Sequence, residues 1–331
     1  MNKQLVLLMM LFLPMVSSAE LLEIDGIYYN LISKIKTAEV TYSPQKYSGN
    51  IVIPDKIVYN EETYDVTSIG ENAFYGCSIS SVSIPTSVKT IGAQAFHLCK
   101  SLNTIVIPEG VENIGVSAFG FCRGAKSVKF PNSLKTIKSQ AFEYCDKLDS
   151  ICINNIESWC NIEFETYPLY HNRRLFLNGD EVTNLIIPSS VSKVNQYAFR
   201  GCSSIKYVTM QDGVSIIGDY AFDGCPNLES VSLPESLISI GMCAFFDCKK
   251  INTVNLPNNV STISHSAFSN CESLESIVIP NSITVIESEV FKGCSKLTTI
   301  TLSKNISDTI NFILTSYFPL LIRVSERSLI F

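Results

Sequence analysis

The sequence predicts an α/β repeat solenoid, a stack of coils that each hold a short parallel strand and one helical turn. Three observations predict it. A motif of Ala-Phe followed three residues later by Cys recurs along the chain, as in "ENAFYGC", "AQAFHLC", "SQAFEYC" and "DYAFDGC", and ends as "SEVFKGC". It returns after about 23 residues, a period that means stacked supersecondary units. Each period also holds a short apolar run closed by proline.

The repeat phenylalanines are Phe74, Phe96, Phe119, Phe142, Phe199, Phe222, Phe245, Phe268 and Phe291. The step from one to the next is constant to within a single position, except between Phe142 and Phe199. That wide gap holds one ordinary period and an insertion. Prolines keep the same register at Pro85, Pro108, Pro131, Pro188, Pro234, Pro257 and Pro280, with Gln211 in the remaining slot.

One unit reads "CKSLNTIVIPEGVENIGVSAF". Ile105 and Ile107 share a face by the period of two of a strand, and Pro108 closes the strand because it cannot donate to a ladder. Val111 and Ile114 point inward from a second extended segment. Gly115 and its equivalents are mostly Gly, Asn or Ser, acceptable helix N-caps. The following Ala-Phe…Cys is therefore expected to form one turn of α- or 3₁₀-helix, with the apolar residues on one side. A single coil cannot bury its apolar face, but stacked coils bury it against one another.

Nine of the twelve cysteines form a column: Cys77, Cys99, Cys122, Cys145, Cys202, Cys225, Cys248, Cys271 and Cys294. One cysteine per coil gives parallel Cβ vectors, whereas a disulfide needs Cβ atoms about 3.8 Å apart and facing. Buried thiols are expected here. Cys152 and Cys160 are left with two readings, a local bridge or two thiols. No metal-ligand spacing accompanies the cysteines, and no cofactor is implied.

At the N-terminus, Lys3, the apolar run Leu5–Val16 and the small residues Ser17 and Ala19 have the pattern of a secretory signal peptide over 1–19. The mature chain from Glu20 then has 24 basic against 31 acidic residues. That balance argues against a nucleic-acid partner, which needs clustered Lys and Arg. With 46 % hydrophobic and 17 % charged residues the chain is rich in core. Residues 20–66 read as a β-rich cap and lead-in, 67–305 as the solenoid with an insertion at about 154–180, and 306–331 as either a cap or a degenerate tail. Ser316, Pro319 and Arg323 interrupt the last apolar run, so no transmembrane segment is expected in the mature chain.

The unit L-x-x-I-x-I-P-x-x-V-x-x-I-G-x-x-A-F-x-x-C resembles the BspA-like type of leucine-rich repeat, from roughly Cys77 to Leu302. The lead-in "IDGIYYNL" and the insertion core "NIESWCNIEF" are similar to that family as well. The resemblance implies a right-handed solenoid on a secreted or surface protein of host-associated bacteria, and adhesion or protein binding for some members.

Signs of an enzyme are few. His97 and His265 fall in variable positions and read as solvent-facing spacers. No H-E-x-x-H, G-x-S-x-G or Walker loop is present. The outward strand columns, Ser81 to Thr299 and Ser83 to Thr301, are mostly small or hydroxylic, with Tyr207, Lys129, Val106, Ile186 and Val278 among the exceptions. Such residues are poor hot spots. The insertion carries Trp159, Tyr167, Tyr170, His171, Arg173 and Arg174. Either it covers the core where the repeat is broken, or it forms a recognition loop. The expected function is a secreted or cell-surface, adhesin-like binding module that contacts an extracellular protein or glycan, and not an enzyme. Candidate binding residues are Tyr167, Tyr170, His171, Arg173, Arg174 and Tyr207. A structural spacer that displays another domain is the alternative.

Overall fold

A computed structural model describes residues 21–165, 173–283, 286–302 and 322–324. Three antiparallel strands, Leu22–Ile24, Ile27–Ile32 and Thr37–Val40, come first among the described residues. Asp25 and Gly26 both have positive φ at the first turn (50° and 76°), as a tight two-residue hairpin requires. Thr37–Val40 pairs in parallel with Glu62–Ile69, whose end pairs with Thr90–Ile91. These strands thus pass directly into the repeat.

From there the chain is a right-handed β-solenoid of about ten coils. Each coil has three sides. The first holds a strand such as Thr104–Val106, paired in register with Ser127–Lys129 and then Ser150–Ile153. The second holds a two-residue strand such as Asn113–Ile114, stacked between Thr90–Ile91 and Thr136–Ile137. The third is the Ala-Phe…Cys turn.

That third side is not a helix. The single α-helix among the described residues is Ile156–Cys160, in the insertion. The expected helical turn is replaced by three consecutive four-residue turns. In one coil Ala95 N donates to Gly92 O, His97 N to Gln94 O and Cys99 N to Phe96 O, each an i to i−3 bond. Gln94 and Leu98 have φ of 53° and 62°, and a positive φ at the third position marks the first and last of these turns as type II. The residue before Ala (before Val290 in the last coil) has φ between 51° and 63° in all nine coils, and the residue before Cys between 53° and 76°. A right-handed helix cannot pass through either position.

The alternation frees every second amide to point along the stack. Gln94 N, Phe96 N and Leu98 N donate to Val116 O, Ala118 O and Gly120 O of the next coil at 2.7–2.8 Å. The turns are therefore a third inter-coil ladder. The glycines expected to cap helices instead let neighbouring coils touch. A Cβ on Gly115 would lie 2.6 Å from Ala93 N, and one on Gly218 2.7 Å from Gln196 N.

Inside, the phenylalanines form two face-to-face stacks. Phe74, Phe96, Phe119 and Phe142 have centroids 4.9, 5.0 and 5.2 Å apart. Phe199, Phe222, Phe245 and Phe268 repeat at 5.3 Å, with Phe291 at 6.1 Å. The cysteines run beside them, and all twelve are free. Cys99 Sγ donates to Phe74 O at 3.0 Å, Cys122 to Phe96 O at 3.1 Å and Cys248 to Phe222 O at 3.1 Å. Burial pushes the Cys99 and Cys294 thiols up to about 12, so the reactive thiolate is absent at neutral pH. Native protein should react with a bulky maleimide slowly at the repeat cysteines and fully once unfolded. Mass spectrometry showing a Cys225–Cys248 bridge, or fast labelling of the native column, would contradict this arrangement.

Candidate interaction surface

The insertion interrupts both sheets at one level. After Ser150–Ile153, the helix Ile156–Cys160 is capped by Asn155, whose side chain accepts from Ser158 N at 2.8 Å. Glu163–Phe164 then pairs with Thr136–Ile137 and ends the second sheet. Arg174–Leu177 pairs with Ser150–Ile153, and turns through Asn178-Gly179 into Asp180–Glu181. Asn184–Ile187 and Lys193–Val194 begin two new sheets.

Trp159 is buried and supplies across the break a bond of the kind that joins regular coils. In a regular coil the Phe amide donates to the Ala carbonyl of the next, as Phe119 N does to Ala141 O at 2.8 Å. At the break Trp159 Nε1 donates to Ala198 O at 2.7 Å. Its ring bridges Phe130 and Phe164 at 5.1 and 5.2 Å, and Phe130 meets Phe142 edge-on. Asn195 Nδ2 and Gln196 Nε2 reach Ile162 O and Phe164 O at 3.1 and 2.6 Å, so side-chain amides of the next coil satisfy these two carbonyls.

The two candidate binding residues Arg173 and Arg174 do not stand side by side on the surface. Arg173 is only 4 % exposed, and its Nη1 donates to Leu148 O at 2.6 Å. Burial pulls its pKa down to about 10. Arg173 also pairs with Cys202 in a parallel bridge. Arg174 is on the surface, but it ion-pairs with Asp149 and Glu181 and lies over the Phe176 ring. Its charge is balanced locally, and the guanidinium holds the Asp149 carboxyl below its usual range. Tyr207 stands on the strand side, 43 % exposed, with its hydroxyl on Glu229 at 2.9 Å. Tyr167, Tyr170 and His171 lie outside the described residues.

On the second-sheet side a cleft of about 370 Å³ opens at the break, lined by Lys138, Glu163, Glu165, Lys193, Asn195 and Gln196 among others. Lys138 binds Glu165 at 2.5 Å and holds its carboxyl below the usual range.

The turn side of the first coils carries a feature the sequence reading missed. Tyr75 stacks on His97 at 5.3 Å, His97 meets Phe121 at 5.2 Å, and Phe121 meets Tyr144 at 4.5 Å. Lys46 caps the Tyr75 ring, and Arg123 lies over Phe121. Tyr144 is 51 % exposed. His97, expected to be a spacer, is the second rung of this ridge. The signal was present in "FYGC", "FHLC", "FGFC" and "FEYC", where the aromatic moves from the first to the second variable position. Read column by column, it dissolves into two incomplete sets.

Among the described residues no group of three His, Cys, Asp or Glu side chains could hold a metal ion. His265 Nδ1 lies 2.8 Å from Ser288 Oγ, but Glu287 is bound to the His265 backbone amide and not to the ring. The orienting third member of a nucleophilic triad is therefore not supplied by Glu287. No helix among the described residues is long and apolar enough to cross a membrane.

Short coils of near-constant length, with three stacked ladders around a Phe and Cys core, define a repeat solenoid of the leucine-rich-repeat class. The chain belongs to the BspA type leucine-rich repeat family, with six copies over residues 67–171 and 170–298. No curated protein matches the chain. Among solved structures it is similar to the pneumococcal vaccine antigen PcpA, at 18 % identity over 93 % of this chain and 99 % of that one, with a TM-score of 0.57. A leucine rich cell surface protein from Faecalibacterium prausnitzii is 23 % identical over 88 % and 97 % of the two chains, with a TM-score of 0.41. A leucine-rich repeat protein from Bacteroides ovatus is 25 % identical over 92 % and 100 %, also at 0.41.

Proposed function

We propose that this protein is an exported, adhesin-like binding module that holds an extracellular protein or glycan on its turn side. The aromatic ridge Tyr75–His97–Phe121–Tyr144 carries the reading. Interface hot spots are enriched in aromatic residues and Arg and poor in Ser and Thr, which are common on the outward strand columns. The ridge is held on backbone ladders, so little ordering is needed on binding. Export rests on the Lys3, Leu5–Val16, Ala19 pattern and on membership of a family with surface members. Arg174 and Tyr207 make a second, weaker surface, because their polar groups are already engaged within the chain.

The mature protein should be screened against extracellular-matrix proteins and a glycan array. For any ligand found, Phe121→Ser with Tyr144→Ser should weaken binding at least about tenfold, the effect of losing a modest hot spot. Tyr207→Ala with Lys129→Ala, and Arg174→Ala alone, should change it little. Circular dichroism must show each variant folded. Loss confined to the strand-side variant would move the site there, and a screen without any binder would favour a spacer.

A further inference from the structure

We infer that the aromatic ridge takes an acidic, amphipathic helix of a partner protein, laid along the stack with about one turn on each coil. The inference rests on the ridge being the binding surface, and adds what binds there. Two rows run side by side over the same four coils. One is the ring row Tyr75, His97, Phe121 and Tyr144. The other is a row of cations. Lys46 lies over the Tyr75 ring at 5.5 Å, Lys100 follows Cys99 directly, Arg123 lies over Phe121 at 5.6 Å, and Lys147 comes two residues after Cys145. Lys126 stands beyond Arg123, towards the strand side. All five cations are exposed.

The acidic groups on this corner of the four coils are Glu143, Asp146 and Asp149. Asp149 is tied to Arg174. Asp146 meets Arg123 at 3.4 Å with both side chains more than half exposed, a pair that neutralises little. The strip is thus positive on a chain with more acid than base. The C-terminal coils differ at the equivalent corner. There Lys249 ion-pairs with Asp247 and Glu272, and the two positions before each repeat cysteine, from Arg200 to Gly293, hold one ring, Phe246.

The rings decide between kinds of anionic partner. Tyr75 and His97 lie face to face, 10° apart, and Arg123 covers Phe121. Face-on stacking of a sugar is therefore closed at His97 and Phe121, and ring edges point outward. An aromatic edge is the positive end of the ring quadrupole, so both rows favour an anion. Spacing selects the shape. The rings follow one another at 5.3, 5.2 and 4.5 Å. An α-helix rises about 5.4 Å per turn, and its residues at i, i+4 and i+7 line one face. An extended strand repeats a face only every ~6.6 Å and falls out of step over four coils. A helix keeps step, with its apolar stripe on the ring edges and its carboxylates over Lys100, Arg123 and Lys126.

The probe is a fluorescent synthetic helix of about four turns, with a leucine stripe flanked by glutamates. Its binding to the mature chain should be followed by anisotropy, and should weaken as salt is added. Lys100→Gln with Lys126→Gln should weaken it about tenfold, the sum of a few exposed ion pairs, and Phe121→Ser with Tyr144→Ser should weaken it as well. Lys249→Gln with Lys250→Gln, on the same corner of a C-terminal coil, should change it little. Equal binding of a lysine-for-glutamate peptide, or of a scrambled peptide with no stripe, would overturn the inference. So would a heparin oligosaccharide that bound while the peptide did not. The ridge reading stands or falls separately. If Phe121→Ser with Tyr144→Ser abolishes binding of a ligand from the screen while the acidic helix fails to bind, the helix is wrong and the ridge is right.

Discussion

Phe222→Ala should destabilise the protein by ~3–5 kcal/mol, the usual cost of removing a buried aromatic and leaving its cavity. Phe222 has no exposed surface and stacks on Phe199 and Phe245, both at 5.3 Å. Its carbonyl also accepts the Cys248 thiol. The void would lie between two rings held by backbone ladders, so it cannot close by local collapse. The loss should appear in urea denaturation as a lower midpoint and a broader transition for the C-terminal coils. An unchanged midpoint would show that this column does not form the core. Phe222→Leu, which fills most of the space, should recover much of the stability.

Trp159→Ala should be of similar size, ~3–5 kcal/mol, and for two separable reasons. It removes an aromatic wedged between Phe130 and Phe164, and it leaves Ala198 O without the donor that replaces a ladder amide. Trp159→Phe separates them, because it keeps most of the apolar volume and loses the N–H. That variant should cost about 1–3 kcal/mol, the penalty for a buried acceptor left unsatisfied. Thermal unfolding followed by circular dichroism would give both values. Equal values for Ala and Phe would mean the hydrogen bond carries the whole effect, and no loss with Phe would mean it carries none.

Most of the scaffold was legible because a solenoid writes its architecture as a period. The Phe and Cys columns, the strand ended by proline and the inward Val and Ile positions all follow from the repeat spacing, and each is buried as expected in Phe119, Cys122, Ile105 and Val111. The turn side was misread for a physical reason. Ala and Phe followed three residues later by Cys satisfy the spacing of a helical face, but consecutive type II and related turns satisfy it too. What separates them is the sign of φ at residues such as Gln94 and Leu98, and neither side chain announces a left-handed backbone. The insertion was half legible. Trp159 covers the core at the break, as one of the two readings had it. The Arg173-Arg174 pair misled because adjacency in sequence says nothing about direction: neighbouring residues of a strand point to opposite faces, and one of these points inward.

The paired left-handed residues also restrict what the turn side can become. Their occupants are Asn72, Gln94, Ser117, Gln140, Tyr197, Tyr220, Cys243, Ser266 and Glu289 at the first position, and Gly76, Leu98, Phe121, Tyr144, Gly201, Gly224, Asp247, Asn270 and Gly293 before Cys. Valine, isoleucine, threonine and proline are absent from both sets, although three of them dominate the strands. A branch at Cβ clashes in that backbone region, and proline cannot enter it. Drift at these sites is thus confined to an alphabet of unbranched, aromatic and glycine residues. Of these, the aromatics add the most contact surface without a branch at Cβ. A lineage under selection for new contacts has tyrosine and phenylalanine within easy reach here, and the aliphatic β-branched residues out of it.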